Sequence, residues 1–122
     1  MGTFYVSCDV LNHGDRAKAA RIPRILVDTG SEYTWVSEVI LQKIGIRPEK
    51  KDICFVMANG KNVTRRVGFA IVRVDGIITT DEVVFAEEGD LQLLGARSLE
   101  GLNLRVDSRQ KKLVAGGPLP AA

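Results

Sequence analysis

Two tight-turn dipeptides, Asn59-Gly60 and Asp75-Gly76, bracket residues 63–74, where apolar and polar side chains alternate. Asn-Gly and Asp-Gly are strong hairpin signals, because a short reversal between twisted strands needs residues that tolerate positive φ. Alternation at period two belongs to a strand with one face on a core. A long strand between two such turns places its neighbours, residues 53–57 and 77–85, antiparallel on either side of it. From residue 52 onward the chain therefore reads as strands joined by turns.

The flanking stretches fit the same plan. Residues 3–11 alternate and are rich in Phe, Tyr and Val, which predicts a strand. Residues 12–21 carry Gly14, Asp15 and several charges and read as an exposed hairpin loop. Residues 22–27 form the next strand; Pro23 has no amide donor, which puts that end at a sheet edge or at the strand start. Residues 33–36 are strand-like. Ser37 suits a helix N-cap with Glu38 in the first turn. Val39, Ile40, Leu41 and Ile44 give an apolar stripe, and Gly45 ends it, so one short helix is expected over 38–44. Residues 46–48 leave it in extended form. Residues 87–90 form a charged turn, 91–94 an apolar strand ending at Gly95, and 96–101 a helical turn or short helix stopped by Gly101. Strands follow at 102–106 and 112–115, separated by a turn at 107–110. Many short strands with Gly-centred turns indicate an all-β closed barrel or sandwich. Residues 1–115 are expected to form one domain. Residues 116–122, with two prolines and little to bury, are expected to form a flexible tail.

Composition removes several function classes. A chain of 122 residues with 45% hydrophobic and 26% charged residues suits one soluble domain with a real core. A net charge of +2 is too small to point to nucleic acid. No apolar run is long enough to span a bilayer, so no membrane partner is expected. The N-terminus lacks the basic and apolar regions of a signal peptide. Met1-Gly2 suggests acylation, but Val6 stands where that signal needs Ser or Thr. Cys8 and Cys54 lie in strand-like runs at a spacing that fits neither a metal site nor a disulfide scaffold, and read as buried free thiols. These features favour a reducing, cytoplasmic setting. His13, the one histidine, sits in a polar loop and reads as solvated, which leaves Ser-His, Cys-His and zinc chemistry without ligands or bases. Arg65-Arg66 and Lys111-Lys112 read as solvated charge runs. No metal and no cofactor is expected.

One strand carries an anomaly. Ile25, Leu26 and Val27 read as a strand buried on both faces, yet the run delivers Asp28, Thr29, Gly30 and Ser31 at its end. Aspartate is depleted in strands and rarely buried without a partner. Thr29 supplies a hydrogen-bond donor, and Gly30 lets another backbone approach. A strand running into an ordinary turn would also use these residues. By average residue usage, a chance Asp-Thr-Gly in a chain of this length is on the order of a few per cent. The apolar run before it, and Ser31, Trp35 and Val36 after it, sharpen the match. The segment resembles the active-site loop of aspartic proteases. Leu93-Leu94-Gly95 followed by Leu99 resembles the second signature of the retroviral-type, single-domain branch of that family.

The resemblance implies a retropepsin-like closed acid-protease barrel, homodimeric, acting as an aspartic endopeptidase on peptide or protein substrates. Such enzymes use two carboxylates that share one proton. This chain has one Asp-Thr-Gly, since Asp107-Ser108 is followed by Arg109. A symmetric homodimer would bring Asp28 of both subunits together. The family then assigns catalysis to Asp28, a bond to the opposite subunit to Thr29, and contact with substrate backbone to Gly30. Ala58, Asn59 and Gly60 would lie at the tip of a flap over the substrate. Ser31, Trp35, Leu91 and Leu93 would line its subsites, although Trp35 and the leucines equally suit a core. In the family an acid just after the Asp loop pairs with an Arg directly after the Gly of the second signature; here Ala96 holds that place and Arg97 lies one residue later, within reach of a pairing with Glu32. The rival reading is a non-catalytic peptide-binding or dimerisation module on the same fold.

Overall fold

The computed structural model describes residues 3–121, so the Met1-Gly2 pair and the last residue of the expected tail lie outside the described residues. In chain order the elements are β1 (Tyr5–Leu11), β2 (Ala19–Val27), β3 (Thr34–Ser37), α1 (Glu38–Lys43), β4 (Lys50–Val56) and β5 (Asn62–Val74). They continue with β6 (Ile77–Ala86), β7 (Leu93–Leu94), α2 (Ala96–Leu102), β8 (Leu104–Asp107) and β9 (Lys112–Ala115). Strand pairing runs β1-β2-β7-β3-β6-β5-β4, and β1 also pairs β5. The ladder thus returns to its start, with β4 attached outside the ring as an edge strand. β8 and β9 form a separate hairpin.

The long strand organises this as its pattern predicts. β5 pairs β4 at its first half and β6 at its second, and meets β1 near Val72. Its two turns differ. Asp75 and Gly76 both have positive φ, 51° and 78°, and join Val74 to Ile77 as a two-residue loop. At the other end only Gly60 has positive φ, 84°, and Met57 N–H donates to Lys61 O at 2.8 Å, so the reversal spans a longer loop.

Apolar side chains separate into two clusters. The main core, including Val10, Ile25, Leu41, Phe85 and Leu94, fills the ring. A smaller one, Trp35, Val67, Val84 and Ala86, lies under the β4–β5 hairpin with Tyr33, Ile53 and Phe55 packed against it. α1 begins at Ser37, whose Oγ accepts from Val39 N–H at 3.3 Å. It ends with Gly45 (φ 79°) donating to Gln42 O and Ile46 to Leu41 O, the paired bonds a left-handed C′ glycine permits.

Several expectations are corrected. The helical turn or short helix expected over 96–101 is the helix α2, so the described residues hold a second short helix beside α1, and Gly101 is inside it rather than its stop. A Cβ at Gly101 would overlap the Thr79 hydroxyl, so glycine there lets α2 pack closely on β6. Asn103, with φ 52°, is the cap. The strand expected over 91–94 is only Leu93–Leu94, because the Gln92 side-chain oxygen takes the Ser37 N–H at 3.0 Å where a ladder bond would go. Pro23 is neither first nor last in β2; it sits where the β1–β2 register shifts, a bulge that needs no donor from it. Cys8 is buried, and burial, aided by the Asp9 charge, pushes its thiol up to about 12. Cys54 is exposed instead: on the edge strand β4 the larger neighbours Ile53 and Phe55 take the inward face. Arg65 and Arg66 are not a solvated run; each is half-buried in a specific ion pair. Among the described residues no helix is long and apolar enough to cross a membrane.

Candidate active site

The Asp loop is held by parallel strands and by the start of α2. β2 and β7 pair in parallel, Leu26 beside Leu93 and Val27 beside Leu94, and the ladder extends one step as Asp28 N–H donates to Leu94 O at 3.0 Å. The chain then turns: Ser31 N–H donates to Asp28 O at 3.1 Å, and Gly30 N–H donates to Asp28 Oδ1 at 2.9 Å. One carboxylate oxygen is thereby oriented by its own loop. The first N–H groups of a helix have no intrahelical partner. Here those of Ala96 and Arg97 donate to Ser31 O at 2.8 Å and Glu32 O at 3.1 Å. Gly95 makes the approach possible. Its φ of −93° suits any residue, but a Cβ would overlap Tyr33 O and lie 2.6 Å from Tyr33 C and 2.9 Å from Glu32 O.

A buried hydroxyl chain braces the same crossing. Gly95 N–H donates to Thr34 Oγ1 at 3.0 Å, and Ser98 Oγ donates to Asp81 Oδ2 at 3.1 Å. Thr34 Oγ1 and Ser98 Oγ lie 2.6 Å apart. A hydroxyl has one proton, and that of Ser98 goes to Asp81, so Thr34 is the donor between them. Thr34 is 1% exposed and Ser98 0%.

Asp28 faces a cleft of about 750 Å³. Gly30 and Ser31 share its floor; Tyr33, Trp35 and Phe55 form an aromatic side; Val56, Met57, Ala58 and Asn59 overhang it from the hairpin. Gly89, Asp90, Leu91 and Leu93 form the facing wall, with Leu91 largely exposed. Of the residues singled out in the sequence, Asp28, Gly30, Ser31, Trp35, Ala58, Asn59, Leu91 and Leu93 come together here. Thr29 is exposed and outside the cleft, and Gly60 sits at the hairpin tip beyond it. Trp35 serves both expected fates: it is a core residue of the smaller cluster and a lining residue. Its ring lies 5.1 Å from that of Phe55, which also meets Tyr33 at 5.4 Å, both edge to face.

Other residues of the site carried no sequence signal strong enough to single them out. Arg65 Nε and Nη2 donate to the two Asp90 oxygens at 2.7 and 2.9 Å. The side chains are 13% and 9% exposed. The Arg65 hydrogen bonds hold the Asp90 carboxyl below the usual carboxylate range despite its burial. A charge pair 25 residues apart in sequence, on a strand and a loop, has no local pattern to betray it. Phe55 faces inward with Ile53 at period two, but Cys54 and Val56 are equally apolar and mask that alternation in the sequence. The expected Glu32–Arg97 side-chain pair does not form. Arg97 N–H takes the Glu32 carbonyl, while its guanidinium extends over the Tyr33 ring at 4.9 Å and reaches Glu82 Oε1 at 3.5 Å. Position 97, one residue after Ala96, turns the side chain toward β6.

No curated protein matches the chain. Among solved structures it is similar to the simian foamy virus (mac) protease, with 19% identity and a TM-score of 0.54 over 79% of this chain and 91% of that one. It is also similar to the retroviral protease-like domain of Ddi1 from Leishmania major, with 14% identity and a TM-score of 0.61 over 98% of this chain and 96% of that one. At these identities the likeness is one of fold, and it agrees with a mostly β, retropepsin-like architecture. The family model of gag-polyprotein putative aspartyl proteases matches residues 20–101, which contain the Asp loop, the hairpin and the Gly95 crossing, and the chain belongs to that family.

Proposed function

We propose that the chain is an aspartic endopeptidase that works as a homodimer. Asp28 of each copy supplies one of two carboxylates at the two-fold axis. Like charges that close cannot both ionise, so the pair shares a proton. The ionised member takes a proton from water, which attacks the peptide carbonyl; the protonated member donates to the carbonyl oxygen. No metal and no covalent intermediate is needed. The observation that carries this reading is the Asp28 carboxylate, oriented by Gly30 N–H at the floor of an open, largely apolar cleft. Two further features support it. One chain supplies one such motif. Thr29 is exposed and does not line its own cleft, which leaves it free to bond to a second copy. Trp35, Leu91 and Leu93 favour apolar side chains in the substrate. The exposed Cys54 thiol fits a reducing compartment such as the cytoplasm.

Asp28→Asn tests it. The change is nearly isosteric and removes the only ionisable group the mechanism uses. Cleavage of a peptide library should fall by about 10³-fold or more. Sedimentation near pH 7 should show a dimer at least as tight as wild type, because two amides do not repel. Undiminished cleavage by the variant rejects the mechanism, as does a strict monomer that still cleaves. A wild-type dimer that cleaves nothing makes the chain a binding module instead.

A further inference from the structure

The Arg65–Asp90 pair joins two parts of the cleft that the chain connects only distantly. Arg65 lies on β5, the return strand of the hairpin, opposite Ile53 of β4. Asp90 lies in the loop between β6 and β7, next to Leu91 on the cleft wall. The pairing is bidentate and nearly closed to solvent. Each end is fixed in turn. Asp90 Oδ2 also accepts from Glu87 N–H at 2.8 Å, and Asp90 N–H donates to Glu87 O at 2.9 Å, which closes the wall loop on itself. Arg65 Nη1 donates to Thr64 O at 2.9 Å, which pins the guanidinium to its own strand. On the same inward face of the hairpin, where Arg65 sits across from Ile53, Phe55 packs against Trp35 and Tyr33. The hairpin therefore has an apolar tether to the floor and one bidentate tether to the wall. Leu91 itself is exposed, and its chain neighbours hold it in the wall: Asp90 on one side, and on the other Gln92, whose side-chain oxygen accepts from Ser37 N–H at 3.0 Å.

We propose that Arg65 and Asp90 are positioning residues that lock the Leu91 wall to the hairpin's return strand, so that wall and hairpin close on substrate as one body. This role, which rests on the cleft being a peptide site, makes the pair a determinant of apolar side-chain selection. It leaves the chemical step alone, because Asp28 is held by β7 and α2 and not by the hairpin.

Two measurements on the full chain test it. Hydrogen exchange of Asp90→Asn should be faster than wild type in residues 87–92 and also in 62–67, with α2 and β8–β9 unchanged. Faster exchange confined to 87–92 would overturn the coupling, and so would faster exchange throughout. In peptide cleavage, Asp90→Asn and Arg65→Gln should each raise KM about tenfold for substrates with large apolar side chains, with kcat within about threefold. The double variant should cost no more than either single, since both remove one unit. Additive effects, or a fall in kcat at unchanged KM, would overturn the proposal. If wild type cleaves nothing, the peptidase reading fails, and the exchange pattern alone decides whether wall and hairpin are locked.

Discussion

The floor and the hairpin of the cleft are built by different means. The floor is held by backbone. Asp28 extends a parallel ladder, two helix N–H groups cap the loop carbonyls, and Gly95 brings the two segments together against the main core. The hairpin is held by side chains. β4 is an edge strand with Val56 and Cys54 exposed, resting on the smaller cluster through Ile53 and Phe55; the hairpin is tied sideways by side-chain ion pairs, Arg65 to Asp90, Arg66 to Glu38 and Lys50 to Glu82. Backbone contacts inside a packed core have few alternative arrangements. Side-chain contacts under an edge hairpin can open locally at small cost, and moving covers are drawn from that low-stability end. Under the proposed function, this division would keep the Asp28 floor in place while the hairpin admits a peptide.

The hardest test of the floor is Gly95→Ala. The added methyl has no free direction: it meets the Tyr33 carbonyl and Glu32 O, both backbone, and neither can swing aside. The β7–α2 connection would have to move away from the Asp loop, breaking the Ala96 and Arg97 caps and the Thr34 bond together. The expected cost is about 3 kcal/mol or more, read by chemical unfolding, with cleavage lost as well. A variant of near wild-type stability would show that the crossing is looser than its geometry.

This contrast was only half visible in the sequence. The strands around the Asn59-Gly60 and Asp75-Gly76 turns follow from local alternation, and so do the Ser37 cap and the Gly45 stop of α1. The Asp loop was legible because an apolar strand that ends in a carboxylate is locally anomalous. What failed was non-local or ambiguous. Cys54 and Val56 are as apolar as their inward neighbours, so β4 read as a continuous run and hid its exposed face. Gly101 looked like a helix stop, but its reason is Thr79 on another strand. Thr34, Ser98 and Asp81 are ordinary polar residues until the fold makes them one chain of hydrogen bonds. Arg65 looked solvated because its partner lies on a different element.

Acid should loosen the hairpin side before the floor, and later than an ordinary carboxylate would suggest. Asp90 has its folded pKa lowered by Arg65, with Glu87 and Glu38 as the nearby acids acting on the pair. A depressed folded value means stability that is fully present above the unfolded pKa, about 3.9 for Asp, and lost as pH falls through the folded one. The stability difference between wild type and Asp90→Asn should therefore stay level, at about 1–3 kcal/mol, from neutral pH down to about 4, then shrink below it. Melting curves across that range measure it. A gap that already closes between about pH 7 and 5 would mean the pair does not form as the geometry has it.

The smallest effect is expected at Arg97, and it sharpens the contrast from the floor side. Arg97 contributes to the floor through its N–H, which donates to Glu32 O and survives any side-chain change. Its side chain is 39% exposed, and its ion pair to Glu82 is 3.5 Å long. Lys50 already meets Glu82 at 2.8 Å, so removing Arg97 leaves no orphaned charge. What remains is a solvent-screened pair and the contact over Tyr33. Together these amount to about 0.5–1 kcal/mol for Arg97→Ala. For a chain of this size that is a fall of about 2–4 °C in Tm. Had the side chain reached Glu32 as a buried pair, the loss would be about 3–5 kcal/mol, since an uncompensated charge would be left inside. A drop in Tm beyond about 8 °C would mean that Arg97 has a second, buried partner, and the surface of another copy of the chain is where it would lie.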